Sequence, residues 1–207
     1  MPDFAVDAEK SRTAKVALRG RLLAERRAKT TQDRDSAAAD LQVTLRNSVR
    51  AQQPKVIAGY VPVGAEPGGP TLPELLASLG TLILPVLRDD GDLDWATYEG
   101  PSSLRQATRG LHEPAGRRLG VDAVRAAAYV IVPALAVDRT GARLGRGGGS
   151  YDRALARVSP TAFTVALLHD GELLESVPVE PHDRRVSAVI TPEDGLVPLS
   201  GPPDWTK

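Results

Sequence analysis

Six short apolar runs, each of strand length, constrain this chain more than any other feature. They are KVIAGYVP at 55–62, TLILPVL at 81–87, residues 93–98, AAYVIV at 127–132, and residues 162–168 and 186–191. Helical or turn-rich segments separate most of them. That alternation predicts an α/β fold: a single domain over 1–207 with a central, largely parallel sheet flanked by helices. The run at 93–98 is expected at an edge. Two helices should precede the first strand, within about 10–53. Ser11 is a candidate N-cap for one reaching about Lys29. The other, at 31–53, has Thr31 or Asp33 near its start and Pro54 beyond its end. Leu41, Leu45 and Val49 recur every four residues and mark its buried face. Short helices are expected at 71–79, with Pro73 in the first turn, and at 151–158. The Pro- and Gly-rich end, 195–207, reads as a loose tail.

Composition narrows the function. Lysine plus arginine equals aspartate plus glutamate at 26 each, so neither a general nucleic-acid binder nor a membrane-surface binder is expected. The absence of cysteine removes disulfides, thiolate zinc sites and cysteine nucleophiles together. MPDFAVDAEKSRTAKV carries acidic residues where a signal peptide needs a basic patch and an apolar run. No stretch approaches the roughly 20 apolar residues of a membrane span. The expectation is a cytoplasmic protein, taken as a monomer.

In a parallel sheet, ligands bind beyond the carboxyl ends of the strands. The run at 127–132 leads to such an end, and there lies RLGRGGGSYDR, residues 143–153. Gly145, Gly147, Gly148 and Gly149 offer bare backbone N–H groups and tolerate positive φ. Successive amides of that kind form an anion-binding concavity. Arg143 and Arg146 add charge and planar donor forks. Asp152 would repel phosphate unless Mg²⁺ sat between them. Asp138 is a second carboxylate nearby, although Asp-Arg-Thr-Gly also suits a plain turn. Neither the P-loop nor the dinucleotide fingerprint fits, for lack of a lysine and of a third glycine at Ser150. The residues alone leave two readings open, an anion-binding loop or a turn with solvated arginines. Likewise Lys15 and Arg19, with Arg12 and Arg26 on the same helix stripe, form either a binding face or a solvated basic one.

The wider segment is more specific. VPALAVDRTGARLGRGGGSYDRAL, 132–155, resembles the signature of the 5-formyltetrahydrofolate cyclo-ligase family, also called 5,10-methenyltetrahydrofolate synthetases. That pattern is a strand, Pro-x-Leu-Ala/Gly, an apolar residue, Asp, a turn, then Arg-Leu-Gly-x-Gly-x-Gly-Tyr-Tyr-Asp. Ser150 replaces the first tyrosine. Three shorter matches extend the likeness over about 10–192: Lys-x-x-Leu-Arg at 15–19, Tyr-x-Pro-x-x-x-Glu at 60–66, and Pro-x-x-x-His-Asp at 178–183.

The resemblance implies a fold similar to the sugar-phosphate isomerase and CoA-transferase group. It also implies conversion of 5-formyltetrahydrofolate to 5,10-methenyltetrahydrofolate, with ATP as co-substrate, Mg²⁺, and release of ADP and phosphate. By that likeness Arg146 and Lys15 are catalytic. ATP falls to Lys15, Arg19, Arg143, Leu144, Gly145, Arg146, Gly147, Gly148, Gly149, Ser150 and Tyr151. The folate falls to Val61, Glu66 and the stretch from Arg146 to Ser150, and the metal to Asp152. Departures from the pattern are Ser187, where many relatives place a metal-site aspartate, and Leu111, where relatives often carry an aromatic. His182 is the histidine closest to a functional motif. The alternative to a ligase is a folate- or nucleotide-binding relative with little turnover, which Ser187 favours.

Overall fold

The computed structural model describes residues 4–200, apart from the side chains of 4–8 and of Arg109. Helix α1, Phe4–Ala28, begins earlier than expected. Ser11 is therefore not an N-cap. Residues 5–10, AVDAEK, contain no glycine or proline to stop the helix, and the Ser11 hydroxyl donates to the Val179 carbonyl at 3.0 Å. Helix α2, Thr31–Gln52, is capped by Thr30, whose hydroxyl accepts from the Asp33 amide while Asp33 accepts from the Thr30 amide. This reciprocal box satisfies two otherwise orphaned donors. Gln53 closes the helix in the left-handed conformation (φ 47°) immediately before Pro54.

The remaining elements follow in chain order: β1 (Val56–Ala58), α3 (Leu72–Ala77), β2 (Thr81–Leu87), β3 (Leu93–Thr97), β4 (Leu104–Gln106), β5 (His112–Pro114), β6 (Tyr129–Pro133), β7 (Ala136–Asp138), β8 (Arg143–Leu144), α4 (Ser150–Leu155), β9 (Phe163–Leu167), β10 (Leu173–Leu174), β11 (Ala188–Thr191) and β12 (Gly195–Pro198). Seven strands make the central sheet, in the order β12-β11-β9-β6-β1-β2-β3. Its five inner strands are parallel and both edges are antiparallel. The chain is thus a single α/β domain, with β3 at an edge as expected. The start of the expected tail is a correction. Gly195 turns the chain with φ 67°, and β12 pairs back on β11. Pro198 is tolerated because it ends an edge strand, where its missing N–H costs nothing. Residues 201–207 of that tail lie outside the described residues.

Period-2 alternation sorts the strand side chains onto two faces. Tyr129 and Ile131 of β6 pack with Leu41, Leu45 and Val49 of α2. Val130 and Val132 face the other way, toward Trp95, Ala154 and Leu155. Helix α1 takes a different partner. Its Leu22 packs with Leu135, Ala136, Ala142 and Leu144 over the small sheet β10-β7-β8. That choice lays the basic stripe of α1 beside the loop leaving β8.

Candidate functional site

The strand order places the site. From β1 the chain winds outward through β2 to β3, whereas β6, β9 and β11 extend the sheet in the other direction. The order reverses between β1 and β6, and a crevice opens beyond the carboxyl ends of strands at such a switch point. A groove of about 1070 Å³ lies there. Tyr60, Val61 and Glu66 enter it from the loop after β1, and Pro133 and Ala134 from the end of β6. The β8–α4 loop and the basic face of α1 complete its lining.

The glycine loop is held from behind, with its amides left open. Arg19 donates through Nε to the Gly145 carbonyl at 2.8 Å. Gly147 (φ 101°) and Gly149 (φ 67°) sit in the left-handed region, where a side chain is strained. A Cβ on Gly147 would also stand 3.4 Å from the Arg19 guanidinium carbon. Among the described residues, the amides of Gly147, Gly148 and Gly149 donate to no backbone group. Ser150 begins α4 directly after them.

The two loop arginines have different surroundings. Arg143 is buried; its Nη2 donates to Asp152 Oδ1 at 2.8 Å and its Nη1 to the Pro133 carbonyl at 3.3 Å. Its charge is neutralised locally, so it braces the loop. Asp152 Oδ1 also accepts from the Arg184 amide. Its Oδ2 has no hydrogen-bond partner among the described residues and is not sealed from solvent, and Asp152 lines the groove. Arg146 is exposed and reaches across the groove, with Nε 3.0 Å from Glu66 Oε1. Glu66 Oε2 accepts from the Val63 amide at 2.9 Å. The Tyr151 hydroxyl is buried without a partner, and burial pushes its ionisation well above the usual phenol range. Leu144 is buried under α1 and anchors the loop through packing.

Lys15 and Arg19 share one face of α1, as their spacing requires, and both line the groove. The Lys15 ammonium is nearly sealed and lies 2.7 Å from Glu180 Oε2 and 2.5 Å from Asp183 Oδ2. The hydrogen bond from Lys15 holds the Glu180 carboxyl below its ordinary range. Potential ligand atoms of Glu180, His182 and Asp183 lie within 4.8 Å of one another, a grouping that the separation of the histidines in sequence does not suggest. Asp138 serves the turn: its carboxylate accepts from the Thr140, Ala142 and Val177 amides. Ser187 bonds to the Thr164 hydroxyl at 3.0 Å and does not line the groove, whereas Leu111 does.

Sequence reasoning gave no separate role to Arg26, Glu172 and His169. Arg26 is buried and forks onto Glu172 at 2.7 and 2.8 Å, with a third bond to the Ala134 carbonyl. Glu172 also accepts from the His169 amide, and the His169 ring meets the Ala65 carbonyl at 3.1 Å. The only sequence signal was Arg26's place on the α1 stripe.

Fold and groove together define an α/β enzyme whose site lies at the switch point of a parallel sheet and presents open loop amides. The model of the 5-formyltetrahydrofolate cyclo-ligase family matches residues 11–192, and the chain belongs to that family, whose members are ligases. A 5-formyltetrahydrofolate cyclo-ligase of Mycolicibacterium smegmatis is 44% identical over 151 residues, covering 70% of this chain and 77% of that one. One from Escherichia coli is 33% identical over 130 residues, covering 59% and 69%. The solution structure of Aquifex aeolicus 5,10-methenyltetrahydrofolate synthetase superposes with a TM-score of 0.77 at 26% identity, covering 93% of this chain and 96% of that one. No described helix is long and apolar enough to cross a membrane.

Proposed function

We propose that this ligase converts 5-formyltetrahydrofolate and ATP to 5,10-methenyltetrahydrofolate, ADP and phosphate. The observation that carries the reading is the Arg146–Glu66 pair at 3.0 Å. It puts the phosphate-type loop and the carboxylate suited to a pterin's N–H donors on facing sides of one groove.

The formyl group on N5 is an amide, with a poor electrophilic carbon and an oxygen that does not leave. In the proposed course the formyl oxygen attacks the γ-phosphorus of ATP, and the bond to the β-bridging oxygen breaks, releasing ADP. N10 then attacks the activated formyl carbon and loses its proton. The carbon–oxygen bond breaks, phosphate departs, and the methenyl bridge remains. Such phosphoryl transfer asks the protein chiefly for positioning and charge stabilisation. The amides of Gly147 to Gly149 donate to phosphate oxygens, with Ser150 and Tyr151 continuing that surface. Arg146 exchanges Glu66 for the transferring group, and Glu66 takes the pterin beside Val61. Arg19 fixes the loop through Gly145, while Arg143 and Leu144 hold it from below. Lys15, its ammonium shared by Glu180 and Asp183, reaches the phosphates by exchanging one of those carboxylates, as Arg146 exchanges Glu66.

The free Oδ2 of Asp152 fits one position of a Mg²⁺ ion, which usually takes one or two protein carboxylates with waters and phosphate oxygens. When bound, the ion would neutralise phosphate charge. Asp152→Asn keeps an oxygen for Arg143 and the Arg184 amide but lacks the carboxylate charge. Its Mg²⁺ requirement, read from turnover against metal concentration, should rise about tenfold or more for a loss of roughly 1.4 kcal/mol. An unchanged titration removes Asp152 from the metal. The reaction itself is tested by supplying 5-formyltetrahydrofolate, ATP and Mg²⁺ and following the near-ultraviolet absorbance of the methenyl product. No product at high enzyme concentration overturns the reading.

A further inference from the structure

Arg26 occupies an unusual position for a cation. It is 2% exposed, and Glu172, its partner, is 4% exposed. A buried pair of this kind costs desolvation and is a poor source of net stability. The geometry spends Nε and Nη2 on Glu172 and the Ala134 carbonyl. Nη1 has no hydrogen-bond partner among the described residues. It is also absent from the sealed, unsatisfied atoms, which include the Arg143 Nε and the Tyr151 hydroxyl. Arg26 lines the groove, so a donor on a rigidly held guanidinium is open to it.

Its surroundings identify what it could meet. The Tyr60 hydroxyl, also in the groove, donates to the Pro67 carbonyl, and burial pushes its ionisation well upward. Glu66 lies on the loop after β1, Arg26 bonds the Ala134 carbonyl just beyond the neighbouring strand β6, and both line the groove at the β1/β6 switch point. One buried chain ties them together. Glu172 accepts from the His169 amide, and the His169 ring bonds to the carbonyl of Ala65, the residue before Glu66. The acceptor Glu66 and the donor Arg26 are thus fixed on a common frame.

The 4-oxo pterin edge presents two donors, the 2-amino group and N3–H, and then one acceptor, the C4 carbonyl oxygen. A carboxylate answers the donors, but the acceptor needs a donor beside that carboxylate. We propose that Arg26 Nη1 donates to the C4 carbonyl oxygen of the folate ring held by Glu66, making Arg26 a specificity-determining residue. The inference rests on the folate reading of the groove.

Two binding measurements by calorimetry test it. The first uses the wild-type protein with 5-formyltetrahydrofolate and with its 4-amino-4-deoxy counterpart, which replaces the C4 acceptor by a donor and also removes the N3–H that Glu66 meets. A site built around that acceptor rejects the analogue, here by about tenfold or more. The second uses Arg26→Met combined with Glu172→Gln, which removes the donor and the charge it neutralises, so that no ion is stranded. This variant should melt cooperatively and bind the formyl folate about tenfold more weakly. Its discrimination between the two rings should fall about tenfold from the wild-type ratio, what remains being the N3–H lost to Glu66, and its KM for ATP should stay at the wild-type value. Equal binding of both rings by the wild type overturns the inference, as does an unchanged ratio in the variant. A rise in the KM for ATP alone would assign Arg26 to the nucleotide and equally overturn it. If the wild type binds neither ring, the folate reading of the groove itself is wrong.

Discussion

The two walls of the groove are built on opposite principles. Between Gly145 and Gly149 the loop offers main chain, with Arg146 its one side chain, more than half exposed at 55%. At the β1/β6 switch point the wall is Arg26, backed by Glu172 and His169, which do not line the groove; all three are almost wholly buried and bonded to one another or to carbonyls. The first wall can change partners when a polyanion arrives, because its donors are open and its arginine is held by a single carboxylate. The second cannot, because each of its charges is fixed by several bonds in a low-dielectric setting. A transferring phosphoryl group needs donors that follow it. A flat heteroaromatic ring needs donors and acceptors that stay where they are.

Substitutions on the two walls should therefore fail in different currencies. The largest effect is expected at Arg26→Ala, which strands the Glu172 carboxylate. It should cost about 3–5 kcal/mol of stability, seen as a fall in Tm with the urea m-value unchanged. A fall no larger than that of a surface substitution would show that the second wall is not locked. Arg146→Ala should reduce turnover by roughly 10²–10³ while Tm moves little, since its side chain is mostly solvated; a variant with wild-type kcat and lowered Tm would reverse the comparison. Gly149→Val comes next. A β-branched side chain at φ 67°, with its Cβ 3.2 Å from Arg153 Nη1, should cost about 1–3 kcal/mol of local strain, read as weaker ATP binding.

The smallest effect is expected from pH. Burial lowers the His169 pKa from its ordinary 6.5, so the folded state resists protonation that the unfolded chain accepts. The contribution is fully present above the unfolded pKa and is lost as pH falls below it, until the folded pKa is passed. Within that window each pH unit costs at most about 1.4 kcal/mol. Urea unfolding between pH 7 and 5 should show the loss in wild type and a flatter profile in His169→Gln. Parallel profiles would exclude His169 as the source.

Much of this was legible in the chain because it is local. A four-residue period set the buried face of α2, and Leu41, Leu45 and Val49 are fully buried. The strand-length apolar runs set an α/β sheet, and β3 lies at its edge. The glycine cluster marked the loop, where two glycines take positive φ. Other expectations failed where local rules compete. Ser11 suits a cap, yet the residues before it continue the helix, and the Pro- and Gly-rich end reads as loose until its pairing with β11 is known. The site residues that went unassigned, Glu172 and His169, sit in a segment with no periodicity or motif to mark them.

Sequence alone therefore determined the six main strands, the helices that flank them and the position of the glycine loop, since these depend on residue type and spacing over a few turns. Only the tertiary structure decided which charges are free. Arg143 and Arg146 are three residues apart in one loop, yet one is buried on Asp152 and the other reaches Glu66. Arg26 shares its stripe with Lys15 and Arg19 but meets a carboxylate 146 residues away. Desolvation and pairing belong to what surrounds a side chain after folding, and contacts across such separations leave no trace in the local pattern.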